Sequence, residues 1–146
     1  GPNGRIYKRT ALMEEVVPQI FTKIKEAAAD VLFLTPACVL DHQTTGLFAR
    51  VIEQMGIPTI YVGVARDIML QVKTPRAVFL NFPFGHNLGK VFNRELQMNI
   101  IKDSFKVLET AKESGTVVDL PYDWGDQFEY IPGAYRERKM IESVND

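Results

Sequence analysis

The stretch "DVLFLTPACVLDHQTTG", residues 30–46, decides how this chain folds. Asp30 opens onto "VLFLTP", an apolar run too short for a helix and closed by Pro36, which reads as a strand buried on both faces. Past Cys38 the period changes. A helix beginning near Asp41 or Thr44 sets Leu47, Val51, Ile52 and Met55 on one face and stops before Gly56. A buried strand feeding a helix is the repeating unit of a parallel sheet.

Working outward, the unit recurs. "IPTIYVGV" (57–64) is a second strand, "ARDIMLQVKTP" (65–75) a short helix and turn, and "RAVFLNF" (76–82) a third strand. After the loop "PFGHNLGK" (83–90), Asn93 caps a long helix with a core face of Leu96, Ile100, Ile101, Phe105 and Leu108, running to about Lys112 before Gly115. "TVVDL" (116–120) is a candidate extra strand. Upstream, Leu12, Val16, Val17, Ile20, Phe21, Ile24 and Ala28 recur at helical spacing across residues 11–29, with Pro18 kinking or restarting the helix. The expected fold is α/β: a three-layer, doubly wound, mostly parallel sheet of the Rossmann or flavodoxin type, with right-handed crossovers and strand order second, first, third. Residues 1–10 read as a flexible N-terminal segment or expression remnant, Gly1-Pro2 resembling a protease scar. Residues 11–120 form the single α/β domain, and 121–146 an extension packing on the body or on another subunit.

Composition bounds the function. With 146 residues, 46% of them apolar, and a net charge of -1 from 17 basic and 18 acidic side chains, the chain has no electrostatic footprint for nucleic acid or an anionic membrane. Its longest apolar stretch, Val31 to Leu40, falls short of the roughly 20 residues of a membrane span. Without a secretory leader pattern, and with one cysteine that has no partner for a disulfide, the expected location is cytoplasmic and the expected partners are small molecules or proteins.

In an open α/β sheet, ligands lie beyond the carboxyl ends of the strands, where the loops after strands one and three carry Cys38 and "FGHNLG". A cysteine between a strand tip and a helix start faces backbone N–H groups that favour a thiolate over a free thiol. Equally, a lone cysteine can be an ordinary packed side chain. His42, four residues on, is a candidate charge partner or proton donor, whereas Asp41 suits an N-cap. Gly85 and Gly89 let the second loop turn tightly and approach a ligand, though the spacing is neither a dinucleotide fingerprint nor a phosphate loop. His86 either orients a carboxylate or moves a proton, or else holds the loop by a structural hydrogen bond, and Asn87 either borders a ligand or supports the turn. Arg66 could bind an anion, but a surface ion pair with Asp67 or Glu53 is the preferred reading. One cysteine and two separated histidines give no metal-ligand pattern, and the aromatics around Trp124 suggest a docking surface.

The segments "LTPACVLDHQTTG", "ARVIEQMGIPT", "PRAVFLNFPFGHNLG" and "ELQMNIIKDSFKVLE" together resemble the carboxyl-terminal part of the selenoprotein B family of glycine, sarcosine and betaine reductases; the D-proline reductase selenoprotein looks similar too. The resemblance covers roughly residues 25–112 and lies in the combined spacing. It implies that Cys38 stands where the family has selenocysteine, the nucleophile in reductive cleavage of a carbon–nitrogen bond, with sulfur slower or in need of a more activated substrate. It further implies that the "GHNLG" loop borders the substrate. The expected site then has His42 or His86 handling a proton, with Thr35, Thr44, Thr45, Gly85, Asn87 and Gly89 as contacts to a small, carboxylate-bearing substrate. Where family members carry a second cysteine, this chain has Val39, Leu40 and Asp41, so an external thiol donor would have to resolve Cys38. No cofactor is expected in this chain; a pyruvoyl group would be borne by a partner. Because the family protein is much longer, a companion subunit supplying the amino-terminal region, or a homo-oligomer, is expected. The alternative is a non-catalytic ligand-binding or assembly subunit of such a complex.

Overall fold

The computed structural model describes residues 9–125, 128, 131 and 132. At the amino-terminal end, α1 (Arg9–Ala11), a π-turn (Leu12–Val16) and α2 (Val17–Glu26) run on from one another. Pro18 falls in the first turn of α2, where its missing N–H is tolerated; it cannot donate to the carbonyl four residues back, and the turn ahead of it widens. Then follow β1 (Leu32–Leu34), α3 (Val39–Gln54), β2 (Thr59–Gly63), α4 (Arg66–Gln71), β3 (Arg76–Phe79), α5 (Arg94–Thr110) and β4 (Thr116–Asp119).

The four strands form an all-parallel sheet with helices on both faces, the expected three-layer α/β architecture. Side-chain alternation along the strands divides the core. On one face Tyr61, Ala77 and Phe79 meet Met69 of α4, while Leu32 and Leu34 pack under Phe48 and Ile52 of α3 and Val17 and Ile24 of α2. On the other, Ile60, Val62, Val78 and Leu80 pack on Ile100 and Val107 of α5. Each such fully buried aliphatic side chain contributes roughly 1.5–3 kcal/mol relative to exposure.

Two expectations about the winding are corrected. The strand order is β1-β2-β3-β4 and not second, first, third. As an edge strand, β1 is therefore only half-buried. Moreover, all three crossovers step the same way along the sheet, yet α3 and α4 lie on one face and α5 on the opposite one. The β3–α5–β4 connection consequently has the opposite hand to the two before it, an exception to uniform right-handed winding. The loops after β2 and β3 thus diverge to opposite faces, which opens a crevice at their carboxyl ends of the kind where α/β folds hold ligands.

"TVVDL" is the fourth strand, and Asn93 caps α5 as read, its Oδ1 accepting from the Leu96 N–H at 3.1 Å. Asn93→Ala is expected to cost about 1 kcal/mol, visible as a lower urea midpoint with an unchanged m-value. Phe105, half-exposed on α5, lies against Phe33 with ring centroids 5.9 Å apart. The start of the extension packs on the body: the Tyr122 hydroxyl donates to Asp103 Oδ2 at 2.6 Å, which pushes the Tyr122 pKa up to about 12. Hydrogen bonds from Lys106 and then Tyr122 hold Asp103 below its ordinary value. Residues 1–8 of the expected N-terminal segment and 133–146 of the extension lie outside the described residues. Among the described residues no helix is long and apolar enough to cross a membrane.

Candidate functional site

The site is built where the chain leaves β1. Thr35 is exposed, Pro36 is buried, and Cys38 takes extended backbone angles (φ -126°, ψ 175°) as the N-cap of α3. The helix therefore starts just past Cys38, earlier than the expected Asp41 or Thr44. Cys38 and Asp41 form the two ends of a capping box, with the sulfur toward the Asp41 N–H and the Cys38 N–H donating to Asp41 Oδ2 at 3.3 Å. Sulfur replaces the usual hydroxyl, and Asp41 occupies the third helical position, not the cap. Cys38 is exposed, so it is not the packed side chain of the bland alternative.

His42 is fully buried one turn into α3. Its Nδ1 lies 2.7 Å from the Cys38 carbonyl oxygen, and its Nε2 accepts the Val64 N–H at 3.2 Å. An acceptor at Nε2 places the ring proton on Nδ1, so the imidazole is neutral and joins the Cys38 backbone to the end of β2. Burial lowers its pKa to about 4, against smaller opposing contributions from the Cys38 hydrogen bond and Asp41. Tyr61 adds a hydroxyl donor to the His42 carbonyl at 3.2 Å, and the Phe84 ring meets the imidazole edge-on at 5.4 Å. Both ring nitrogens face backbone groups, which corrects the expectation of a proton donor to the sulfur.

The glycine loop reaches this region from β3. Pro83, Phe84, Gly85 and His86 form a tight turn, with the His86 N–H on the Pro83 carbonyl at 3.1 Å and Gly85 at φ +86° in its third position, where a side chain would strain the backbone. Gly89, at φ +95°, also takes a left-handed conformation that a side chain would strain, and a Cβ there would press the Leu96 side chain of α5 at 2.8 Å. Between them the buried Asn87 sends its Nδ2 to the Pro36 carbonyl and to Thr35 Oγ1, the latter at 3.0 Å. The loops after β1 and β3 therefore meet over the end of β2, although β1 and β3 are not neighbours.

Other expected contacts fall differently. Thr44 is buried within α3 and is not presented to a ligand, while Thr45 is half-buried there. His86 lies against Trp124 at 4.9 Å, Lys90 Nζ sits 4.8 Å above the same ring, and the Phe82 ring packs on it at 5.3 Å. Trp124 thereby clamps the loop, so in this chain it packs on the body. Arg66 is ion-paired, but with Asp119 at 2.8 Å and not with Asp67 or Glu53. Glu53 instead accepts from Arg76 at 2.6 Å and from Thr59 N–H and Oγ1 at 2.9 Å. Sequence reasoning missed the Val64 N–H, Phe84 and Asp119, whose partners lie 22 to 53 residues away or meet only through ring packing.

Cavities of about 440, 550 and 320 Å³ lie away from Cys38: at the amino ends of β3 and β4 near Pro75 and Gly115, at the carboxyl ends of β3 and β4, and between the end of α5 and β4. Among the described residues no three His, Cys, Asp or Glu side chains group as a metal site.

Taken together, the sheet, the N-capping cysteine and the loop tied across β2 define a thiol-bearing α/β domain. Its sequence is similar to the D-proline reductase subunit gamma of Acetoanaerobium sticklandii, 37% identical over 111 residues that make up 76% of this chain and 46% of that protein. This supports a relation to the proline and glycine reductases. The chain spans about half the length of the curated relative it matches. A run of 111 residues within 146 takes in positions 36–111 wherever it begins, so Cys38, His42 and the glycine loop all fall inside it. No family model matches the chain, and no solved structure matches it.

Proposed function

We propose that this chain is a subunit of a proline- or glycine-reductase-like enzyme in which the Cys38 thiolate opens a carbon–nitrogen bond of a small, carboxylate-bearing substrate. The observation that carries this reading is an exposed cysteine at the N-cap of α3, at the carboxyl end of the sheet, within the segment similar to a reductase subunit. N–H donors and the helix dipole are what a thiolate nucleophile uses in place of a metal.

In the proposed step the sulfur attacks the carbon bearing nitrogen, a carbon–sulfur bond forms, and nitrogen leaves with the bonding pair and takes up a proton. An external thiol then attacks Cys38 sulfur. A disulfide forms, and the carbon leaves with its electron pair and takes a proton. A second external thiol releases Cys38, so that two thiols have become one disulfide and the substrate has gained two hydrogens. The external thiols are required because the chain has one cysteine. His42 acts as a positioning residue, fixing the carbonyl of Cys38, and the companion subunit supplies what the longer relative has beyond the matched half. A second reading, a non-catalytic assembly subunit, is favoured by the single cysteine.

Alkylation of the native protein separates the two. Under the catalytic reading, iodoacetamide modifies Cys38 at pH 7 at least tenfold faster than it modifies a cysteine in an unstructured peptide. A rate equal to the peptide's across pH 6 to 9 removes the catalytic reading and leaves the assembly role.

A further inference from the structure

The 440 Å³ cavity lies at the amino ends of β3 and β4, the opposite end of the sheet from Cys38. Its volume falls in the range of about 300–1,000 Å³ typical of small-molecule sites. Three segments converge on it: the last turns of α3, the end of α4 and the loop ahead of β4. Gly46 permits the first approach, because a Cβ there would come within 2.5 Å of Val72 Cγ2 and 2.9 Å of Thr74 Oγ1. Arg50, one turn further along α3, then reaches the Val72 carbonyl with Nη1 at 3.2 Å. On the far side the Gly115 N–H donates to the Pro75 carbonyl at 2.8 Å and sets Ser114 on the rim.

Donors outnumber acceptors in this lining. Arg50 engages through Nη1 alone, so its Nε and Nη2 remain for a ligand. Lys73, Gln54 and Ser114 are exposed and make no side-chain hydrogen bond or ion pair among the described residues. The carboxylate in the lining, Glu53, is already held through Oε1 by Arg76 and by the N–H and hydroxyl of Thr59. With Arg76 set against Glu53, the charges of Arg50 and Lys73 stand uncompensated. Carbonyls 51–53 of α3 do not answer them, since they accept from the N–H groups of Met55, Gly56 and Ile57.

The backbone of Lys73 is a separate sign. α4 closes in a Schellman turn, the Lys73 N–H on the Leu70 carbonyl at 3.2 Å and the Thr74 N–H on the Met69 carbonyl at 3.1 Å. Lys73 holds the left-handed position of that turn, at φ +54°, which glycine ordinarily fills. Strain of this kind collects where a side chain is needed for function.

We infer that this cavity binds the phosphate group of a small phosphate monoester, Arg50 and Lys73 meeting its two charges and Gln54 and Ser114 donating to its oxygens. A phosphate offers three free oxygens to donors that arrive from different segments, where a planar carboxylate offers two. Leu70 and Pro75 leave an apolar flank for the organic body. The inference is carried by the cavity and its unanswered donors and holds whether or not Cys38 reacts.

The test is titration of the whole chain with glycerol 3-phosphate, with glycerate as the carboxylate probe, followed by amide chemical shifts. Ionic strength is held constant, because screening alone weakens loose charge contacts. Saturable binding of glycerol 3-phosphate, at least tenfold tighter than glycerate, is expected, with the shifts centred on residues 50–54, 73–75 and 114–115. Arg50→Gln should weaken it by tenfold or more. Lys73→Gly is the sharper variant: glycine suits the positive φ, so the protein should melt at or above the wild type while binding at least fivefold more weakly. A lysine with a purely structural role would not give that combination. Cys38→Ser should bind unchanged, which separates this site from the fate of the thiol. No saturation, shifts centred elsewhere, glycerate binding as tightly as glycerol 3-phosphate, or full affinity in Lys73→Gly would overturn the assignment.

Discussion

Replacing His42 with alanine should lower the unfolding free energy by about 4 kcal/mol, combining the cavity left by a buried ring with the cost of an orphaned backbone donor. The ring is fully buried, and truncation strands the Val64 N–H and the Cys38 carbonyl together. Such a loss is a large fraction of the roughly 5–15 kcal/mol that holds a domain folded. Urea unfolding at pH 7 measures it directly, and a shift below about 1 kcal/mol would show that the imidazole is not the link described. The same ring gives the protein an acid limit. In the folded state the pKa lies at about 4 against 6.5 for the free group, so between those values the unfolded chain binds more protons. Stability from this residue is complete above pH 6.5, declines as the pH falls, and is spent below about 4. The decline amounts to on the order of 3 kcal/mol. Urea midpoints at pH 7, 5.5 and 4.5 should show that slope in the wild type and a shallower one in His42→Ala.

Under the proposed catalytic role, Cys38→Ser should abolish turnover, by a factor of a thousand or more, in the chain reconstituted with the proposed companion subunit and a dithiol reductant, D-proline being the first substrate to try. Serine is a favoured N-cap, so the helix keeps or improves its first turn. The variant should therefore melt within a degree or two of the wild type or above it. Loss of activity with an intact melt assigns the sulfur to chemistry; retention of more than a tenth of the turnover would assign it elsewhere.

The elements of this fold were legible because their signals are local. Short apolar runs gave the strands, and Asn93 followed by Leu96 and Ile100 announced a capped amphipathic helix. Strand order was not legible, since "VLFL" and "IYVG" bury equally well in the centre or near the edge, and what decides is which helix covers which face. Cys38 and Asp41 do carry a capping-box spacing, but with sulfur in the place of the hydroxyl the signal passes for an ordinary loop. The four-residue interval between Cys38 and His42 suggested a charge partner or proton donor for the thiol. It did not show that the imidazole would meet the carbonyl and not the thiol, because that depends on Val64 arriving from another strand. Arg66 likewise finds its partner 53 residues downstream, beyond the reach of any local pattern.

The amide of Asn87 that ties Thr35 and Pro36 imposes a chronology on biosynthesis. These partners are separated by 52 and 51 positions, so the cysteine emerges from the ribosome long before the residue that fixes its surroundings. Until β2 and β3 have paired and the strap has crossed them, the thiol rides on an unfinished cap. Its folded setting requires residues up to Asn87, and a nascent chain stalled before that point would expose a cysteine without its setting.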